Sequence, residues 1–126
     1  MTRKANDKKR FTPFSRWIRK WCKDSGDGLS LTNLDYIITD FKQEKMFLLE
    51  EKQYMSDLKT GQKIIFKMVN EYLKKNTNEY EYWGFYLIQL PKELPGIGMK
   101  LNYKPITKEE LKKHIDFEEK FCDSLF

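Results

Sequence analysis

The sequence predicts an α/β fold, a mixed β-sheet flanked by helices, in the order helix, strand, strand, helix, strand, strand, helix. Three observations carry this expectation. Apolar residues recur at helical spacing in three segments, and runs of branched and aromatic residues bounded by turn formers lie between them. The opening hairpin is apolar on both faces, as a sheet covered by helices on both sides requires. With 126 residues, the chain has the length of one compact domain. The expected organisation is a flexible basic arm over 1–11 and a single domain over 12–126.

The elements follow in order. Thr12 is placed to cap a first helix, with Pro13 in its first turn and Phe14, Trp17, Ile18, Trp21 and Cys22 on one face. The tryptophans on that periodic apolar face read as core anchors. Arg16, Arg19, Lys20 and Lys23 share the other face, and SGDG over 25–28 ends the helix. Strands follow over 29–41 and 45–54 around the turn KQEK. A second amphipathic helix over 60–75 presents Ile64, Ile65, Met68, Val69, Tyr72 and Leu73 as one apolar stripe, with Lys63, Lys67 and Lys74 facing away. A third strand over 80–91 carries Tyr80, Tyr82, Trp83, Phe85 and Tyr86, read as core, and Pro91 closes it. After a Pro/Gly-rich loop comes a short strand around 99–105. The capping box Thr107-x-x-Glu110 opens the last helix, in which His114, the sole histidine, reads as solvated or cap-like.

Charge is unevenly placed. Residues 1–23 hold nine Lys or Arg against Asp7 alone, a net of +8 that leaves −3 for the rest of a chain whose total is +5. Such a footprint suits contact with a phosphate backbone, and a solubilising terminus is the other reading for residues 1–10. Cys22 and Cys122 have no CxxC spacing, which points to reduced thiols rather than a disulfide framework or zinc site. No run of 18 apolar residues and no signal-type segment appears, so a cytoplasmic protein without a membrane span is expected. PGIG lacks the Lys-Ser/Thr of a phosphate-cradling loop.

The hairpin carries the chemistry. A turn centred between Gln43 and Glu44 pairs Phe41 with Met46, Ile37 with Glu50, and Asp35 with Lys52. Asp35, Glu50 and Lys52 then share one face, and Glu51 points to the other. Asp40 falls opposite Asp35 by the same parity. Two carboxylates and an ammonium at one end of a sheet are costly unless they pair or hold a cation, so the pattern admits a structural ion pair or a metal site. Mg²⁺ or Mn²⁺, bound by a few hard oxygens and water, suits such a site, with the lysine beside a metal-bound water.

Asp35 on one strand, Glu50-Glu51-Lys52 on the next, and Gln62 in Gln62-x-x-x-Phe66 opening a helix resemble the PD-(D/E)xK nuclease superfamily, including its small RecB-like and Holliday-junction-resolvase-like members. The likeness spans about residues 12–90. It implies a restriction-endonuclease-like core, a cation held by Asp35, Glu50 and the backbone carbonyl of Glu51, Lys52 serving the hydrolytic water, and Gln62 supporting the site. Family members often have tyrosine where Phe66 stands, proline where Leu34 stands, and a glutamate in the first helix, for which Asp24 is the nearest acid here. Six Asp/Glu-x-Lys triplets occur, but only that at Glu50 ends an apolar strand with an acid on the paired strand and a glutamine-led helix after it.

The expected function is hydrolysis of DNA phosphodiesters, with Arg10, Arg16, Arg19, Lys20, Lys23, Lys63 and Lys67 contacting nucleic acid and a homodimer as a route to two-strand cleavage. The alternative is a noncatalytic nucleic-acid-binding or protein-interaction adaptor of viral or mobile-element origin.

Overall fold

The computed structural model describes residues 12–23, 31–76 and 79–126 and separates into two compact units, 1–32 and 33–126. The basic arm with Arg10, the turn SGDG and Asp24 lie outside the described residues. Among the described residues, no helix is long and apolar enough to cross a membrane.

The first unit contains helix α1, Pro13–Trp21. Thr12 caps it, its hydroxyl accepting the Ser15 N–H at 3.2 Å, and proline opens the first turn where a missing N–H costs nothing. Arg19 and Lys20 in the last turn complement the carbonyl end of the helix. The tryptophans are not core anchors in this structure. Trp17 and Trp21 are 53% and 66% exposed, Phe14 stacks on Trp17 at 6.2 Å in solvent, and no residue of the helix is buried. A nine-residue helix has no interior of its own, so its apolar face stays open within its unit.

In the second unit, strands β1 (Tyr36–Asp40), β2 (Lys45–Gln53), β3 (Glu81–Leu90), β4 (Lys100–Leu101) and β5 (Lys104–Pro105) form one sheet in that spatial order. Helix α2, Thr60–Asn76, crosses between β2 and β3, which are parallel, while the other pairs are antiparallel. Helix α3, Lys108–Ile115, follows β5 behind the expected capping box of Thr107 and Glu110. The short strand expected around 99–105 is instead a tiny hairpin, because Asn102 and Tyr103 both take positive φ, 49° and 67°, and turn the chain within two residues.

Alternation along β2 and β3 divides the core. Phe47, Leu49, Tyr86, Ile88 and Leu90 pack with Leu111 and Phe117 on the α3 side, whereas Leu48, Phe85 and Leu87 pack with Phe66 on the α2 side. Gly84 interrupts the alternation. The β2–β3 register slips between Met46/Tyr82 and Leu48/Phe85, and Gly84, at φ +123°, is the extra residue of the bulge. A Cβ at Gly84 would collide with Ser124, whose hydroxyl accepts the Phe85 N–H at 3.0 Å while the Leu125 N–H reaches the Phe85 carbonyl at 2.8 Å. The final residues thus run beside β3 and place Leu125 and Phe126 against the α2-side cluster.

Two expectations change here. On α2 the core-facing row is Phe66, Asn70 and the half-buried Leu73, while Ile64, Met68 and Tyr72 are 58%, 62% and 67% exposed. Asn70 hides that row from a hydropathy reading, yet it is buried because the Tyr82 hydroxyl donates to its Oδ1 at 2.7 Å. His114 is likewise interior rather than solvated, since Leu111 and His114 lie three residues apart on the helix face that meets the sheet. Its Nδ1 accepts the Phe121 N–H at 3.2 Å, and the rings of Phe47, Trp83 and Tyr86 surround it at 5.2, 5.2 and 4.5 Å. Burial, helped by the charge of Lys120, pushes the imidazole down to about 4.

Candidate functional site

The hairpin turn fixes the site, and it sits two residues away in pairing from expectation. Tyr36 lies opposite Leu49 and Asp40 opposite Lys45, so the register of Phe41 with Met46, Ile37 with Glu50 and Asp35 with Lys52 is corrected. Asp40 makes the difference. Its Oδ1 accepts the N–H groups of Lys42 and Gln43, both at 3.0 Å, starting the turn at Phe41 and holding its carboxyl below the usual range. A slip of two keeps every side chain on its face. Asp35, continuing the register, therefore meets Glu50 directly instead of Lys52.

The two strands interlock at that point. The Asp35 N–H donates to Glu50 Oε1 at 3.1 Å, and the Glu51 N–H donates to Asp35 Oδ2 at 2.9 Å. Glu50 is 1% exposed, and Lys52, two residues on along the same face, stands with Nζ 3.8 Å from Glu50 Oε2. Burial drives the Glu50 carboxyl above its ordinary range, and the Asp35 charge drives it further, against the Asp35 N–H and Lys52. Glu50 is thus a buried carboxylate beside a second one, with the Lys52 ammonium near its other oxygen.

Gln62, in the first turn of α2, supplies the other end. Its Oε1 accepts from Lys52 Nζ and from the Lys59 N–H, each at 3.0 Å, so one oxygen both caps the helix and steadies the lysine. Glu51 turns its side chain away, accepting from the Tyr36 hydroxyl at 2.9 Å and Gln53 Nε2 at 3.1 Å. Among the described residues, no group of three or more His, Cys, Asp or Glu side chains gathers to hold a metal ion. Two carboxylates of hard oxygen still fit Mg²⁺ or Mn²⁺, which keep several waters and take main-chain carbonyls readily.

The cations assigned to nucleic acid divide between the units. Arg16, Arg19 and Lys20 belong to α1 with Lys23 just beyond it, whereas the exposed Lys63 and Lys67 belong to α2. Around the site, three residues that the sequence reading did not single out bind the segment between β2 and α2. Asp57 Oδ1 accepts the Tyr103 hydroxyl at 2.6 Å and the Leu58 N–H at 2.7 Å, which hold its carboxyl below the usual range. Gln89 is paired with Lys52 across the β2–β3 ladder, and its Nε2 donates to the Ser56 carbonyl at 2.9 Å. A glutamine inside the apolar run of β3 was the available signal for it.

No protein-family model matches the chain, and no solved structure matches it. The chain is similar to an uncharacterized protein of Archaeoglobus fulgidus, 32% identical over 72 residues. That stretch is 56% of this chain and 50% of the archaeal protein, so the match covers about half the length of its relative.

Proposed function

We propose that the protein is a metal-dependent nuclease that hydrolyses DNA phosphodiester bonds on a restriction-endonuclease-like core of the PD-(D/E)xK type. One observation carries the reading: Glu50, 1% exposed, meets Asp35 across the hairpin and has Lys52 3.8 Å away on the same face. Asp35, Glu50 and the Glu51 carbonyl would hold Mg²⁺ or Mn²⁺, which supplies an acidified water and neutralises charge on the scissile phosphate. The chain does the rest. Asp35 and Glu50 face the ion as carboxylates, and the bonds from the Asp35 N–H to Glu50 and from the Glu51 N–H to Asp35 keep the spacing between the strands. Lys52 Nζ, fixed by Gln62 Oε1, orients the attacking water and offsets the charge that grows on the phosphate oxygens. Lys63 and Lys67 in the one unit, and the basic α1 in the other, each contact the backbone, by attraction independent of base sequence.

Purified protein incubated with Mg²⁺ or Mn²⁺ and linear, supercoiled or branched DNA tests the reading. Cleavage that disappears in Glu50→Ala and in Lys52→Ala supports it, and cleavage surviving either substitution removes the site assignment. A noncatalytic binding or adaptor domain of viral or mobile-element origin is the second reading, favoured by the exposed Ile64, Met68 and Tyr72 on α2. DNA binding with no cleavage under any metal supports that alternative. A homodimer, which would place two cutting sites on one duplex, is tested by the molecular mass in solution.

A further inference from the structure

We infer that Gln89 is a positioning residue for the lysine end of the site, acting through the turn Gln53–Ser56 to set Gln62 and, through it, Lys52. This inference rests on the nuclease reading for its effect on turnover, and on geometry alone for its effect on the chain.

The turn lies at the junction of the two site elements. β2 ends at Gln53, directly after Lys52, and α2 begins at Thr60, two residues before Gln62. Tyr54 and Met55 between them both take left-handed φ, 55° and 57°, without being glycine. Side chains rarely adopt that conformation, and two in succession persist only where surrounding bonds impose it. The Met55 N–H reaches the Leu90 carbonyl at 2.9 Å, and the Ser56 N–H and hydroxyl both reach the Gln53 carbonyl, at 3.1 and 2.7 Å.

Gln89 completes the set from the neighbouring strand. It is 6% exposed, and its Nε2 donates to the Ser56 carbonyl at 2.9 Å and, more weakly, to the Met55 carbonyl at 3.5 Å. A buried amide tied to two successive carbonyls of a strained turn fixes where the chain leaves β2. From Ser56, the buried Leu58 leads to Lys59, whose N–H is capped by the Gln62 oxygen that also holds Lys52. A shift at Ser56 therefore reaches Lys52 Nζ through one short stretch of chain. Asp35 is tied to Glu50 and to the Glu51 N–H across the hairpin, by bonds that do not involve the turn.

That asymmetry gives the test. In Gln89→Met, which keeps the volume and removes the donor, amide exchange at Met55 and Lys59 speeds up on the order of tenfold while that at Leu48 and Leu87 is unchanged, the equivalent of about one hydrogen bond. Mn²⁺ affinity stays within about twofold of wild type, and turnover falls on the order of tenfold with KM unchanged. Unchanged exchange at Lys59 overturns the inference, and so does a loss of Mn²⁺ affinity that parallels the loss of turnover, since general loosening of the fold would move both. If the wild-type protein cuts no DNA, the nuclease reading fails, while exchange at Met55 and Lys59 still decides the role of Gln89. Should Gln89→Met fail to fold, Gln89→Asn keeps a polar amide and draws it back from the Ser56 carbonyl. Faster exchange at Lys59 in that variant supports the inference, and no change overturns it.

Discussion

The two faces of the sheet are built from the same strands and do opposite work. On the α3 side, Phe47, Trp83, Tyr86, Phe117 and the neutral His114 form an aromatic cluster with ring centroids 4.5–6.1 Å apart. On the α2 side, the apolar set of Leu48, Phe66, Phe85 and Leu87 gives way toward one end to Glu50, Lys52, Gln62 and Gln89. One face holds the unit together, and the other carries charge that burial penalises. Side chains alternate across each strand, so a single nine-residue strand such as β2 serves both. Stability and the proposed chemistry can therefore be altered separately, one residue apart.

The largest expected effect breaks the charged face. Glu50→Ala or Asp35→Asn lowers cleavage with Mg²⁺ by about 10³-fold or more, about 4 kcal/mol of barrier, measured on supercoiled DNA. Phe47→Ala attacks the other face and costs about 3–4 kcal/mol of stability, measured by denaturant unfolding, while Mn²⁺ affinity of the folded protein is retained. Acid sharpens the contrast. The folded-state value of His114 is depressed to about 4 from 6.5, so its contribution is fully present above pH 6.5 and is lost as the pH falls toward 4, on the order of 2–3 kcal/mol in all. His114→Gln flattens that acid limb in thermal melts at stepped pH.

Glu50 runs in the opposite direction. Its folded value is raised, so its contribution is present below its ordinary value of 4.5 and fades as the pH rises through the folded one. Glu50→Gln in metal-free protein consequently raises stability by about 1 kcal/mol at neutral pH, and added Mg²⁺ stabilises the wild type but not the variant. The smallest effect is at the periphery. Lys63→Ala and Lys67→Ala each weaken DNA binding modestly at every sequence and reduce the slope against log salt by about 1, read by titration at several salt concentrations.

How much of this was legible depended on which physical signal ruled each segment. β2 and β3 were readable because a central strand covered on both faces is apolar throughout, and α3 because its capping box is local. The common face of Asp35, Glu50 and Lys52 was readable because parity survives an even slip of register. The partner of Asp35 was not, because Asp40 acts as the turn's acceptor and moves its start by a residue. Asn70 and His114 misled for one shared reason: a polar side chain with a buried hydrogen-bond partner counts as surface in any hydropathy pattern. The rings of α1 misled in the reverse sense, since periodicity shows which residues share a face and not whether their own unit has an interior to receive them.

The four-residue turn Phe41–Glu44 also sets which length changes this gene could tolerate. Two residues added there lengthen the loop and leave Asp35 on the side of Glu50, at the entropic cost of a slightly longer closure. A single added residue, taken up by the β1 register, carries Asp35 through to the other face of the sheet, away from Glu50. Among descendants of this sequence that keep the carboxylate pair, insertions in the turn should come in even numbers.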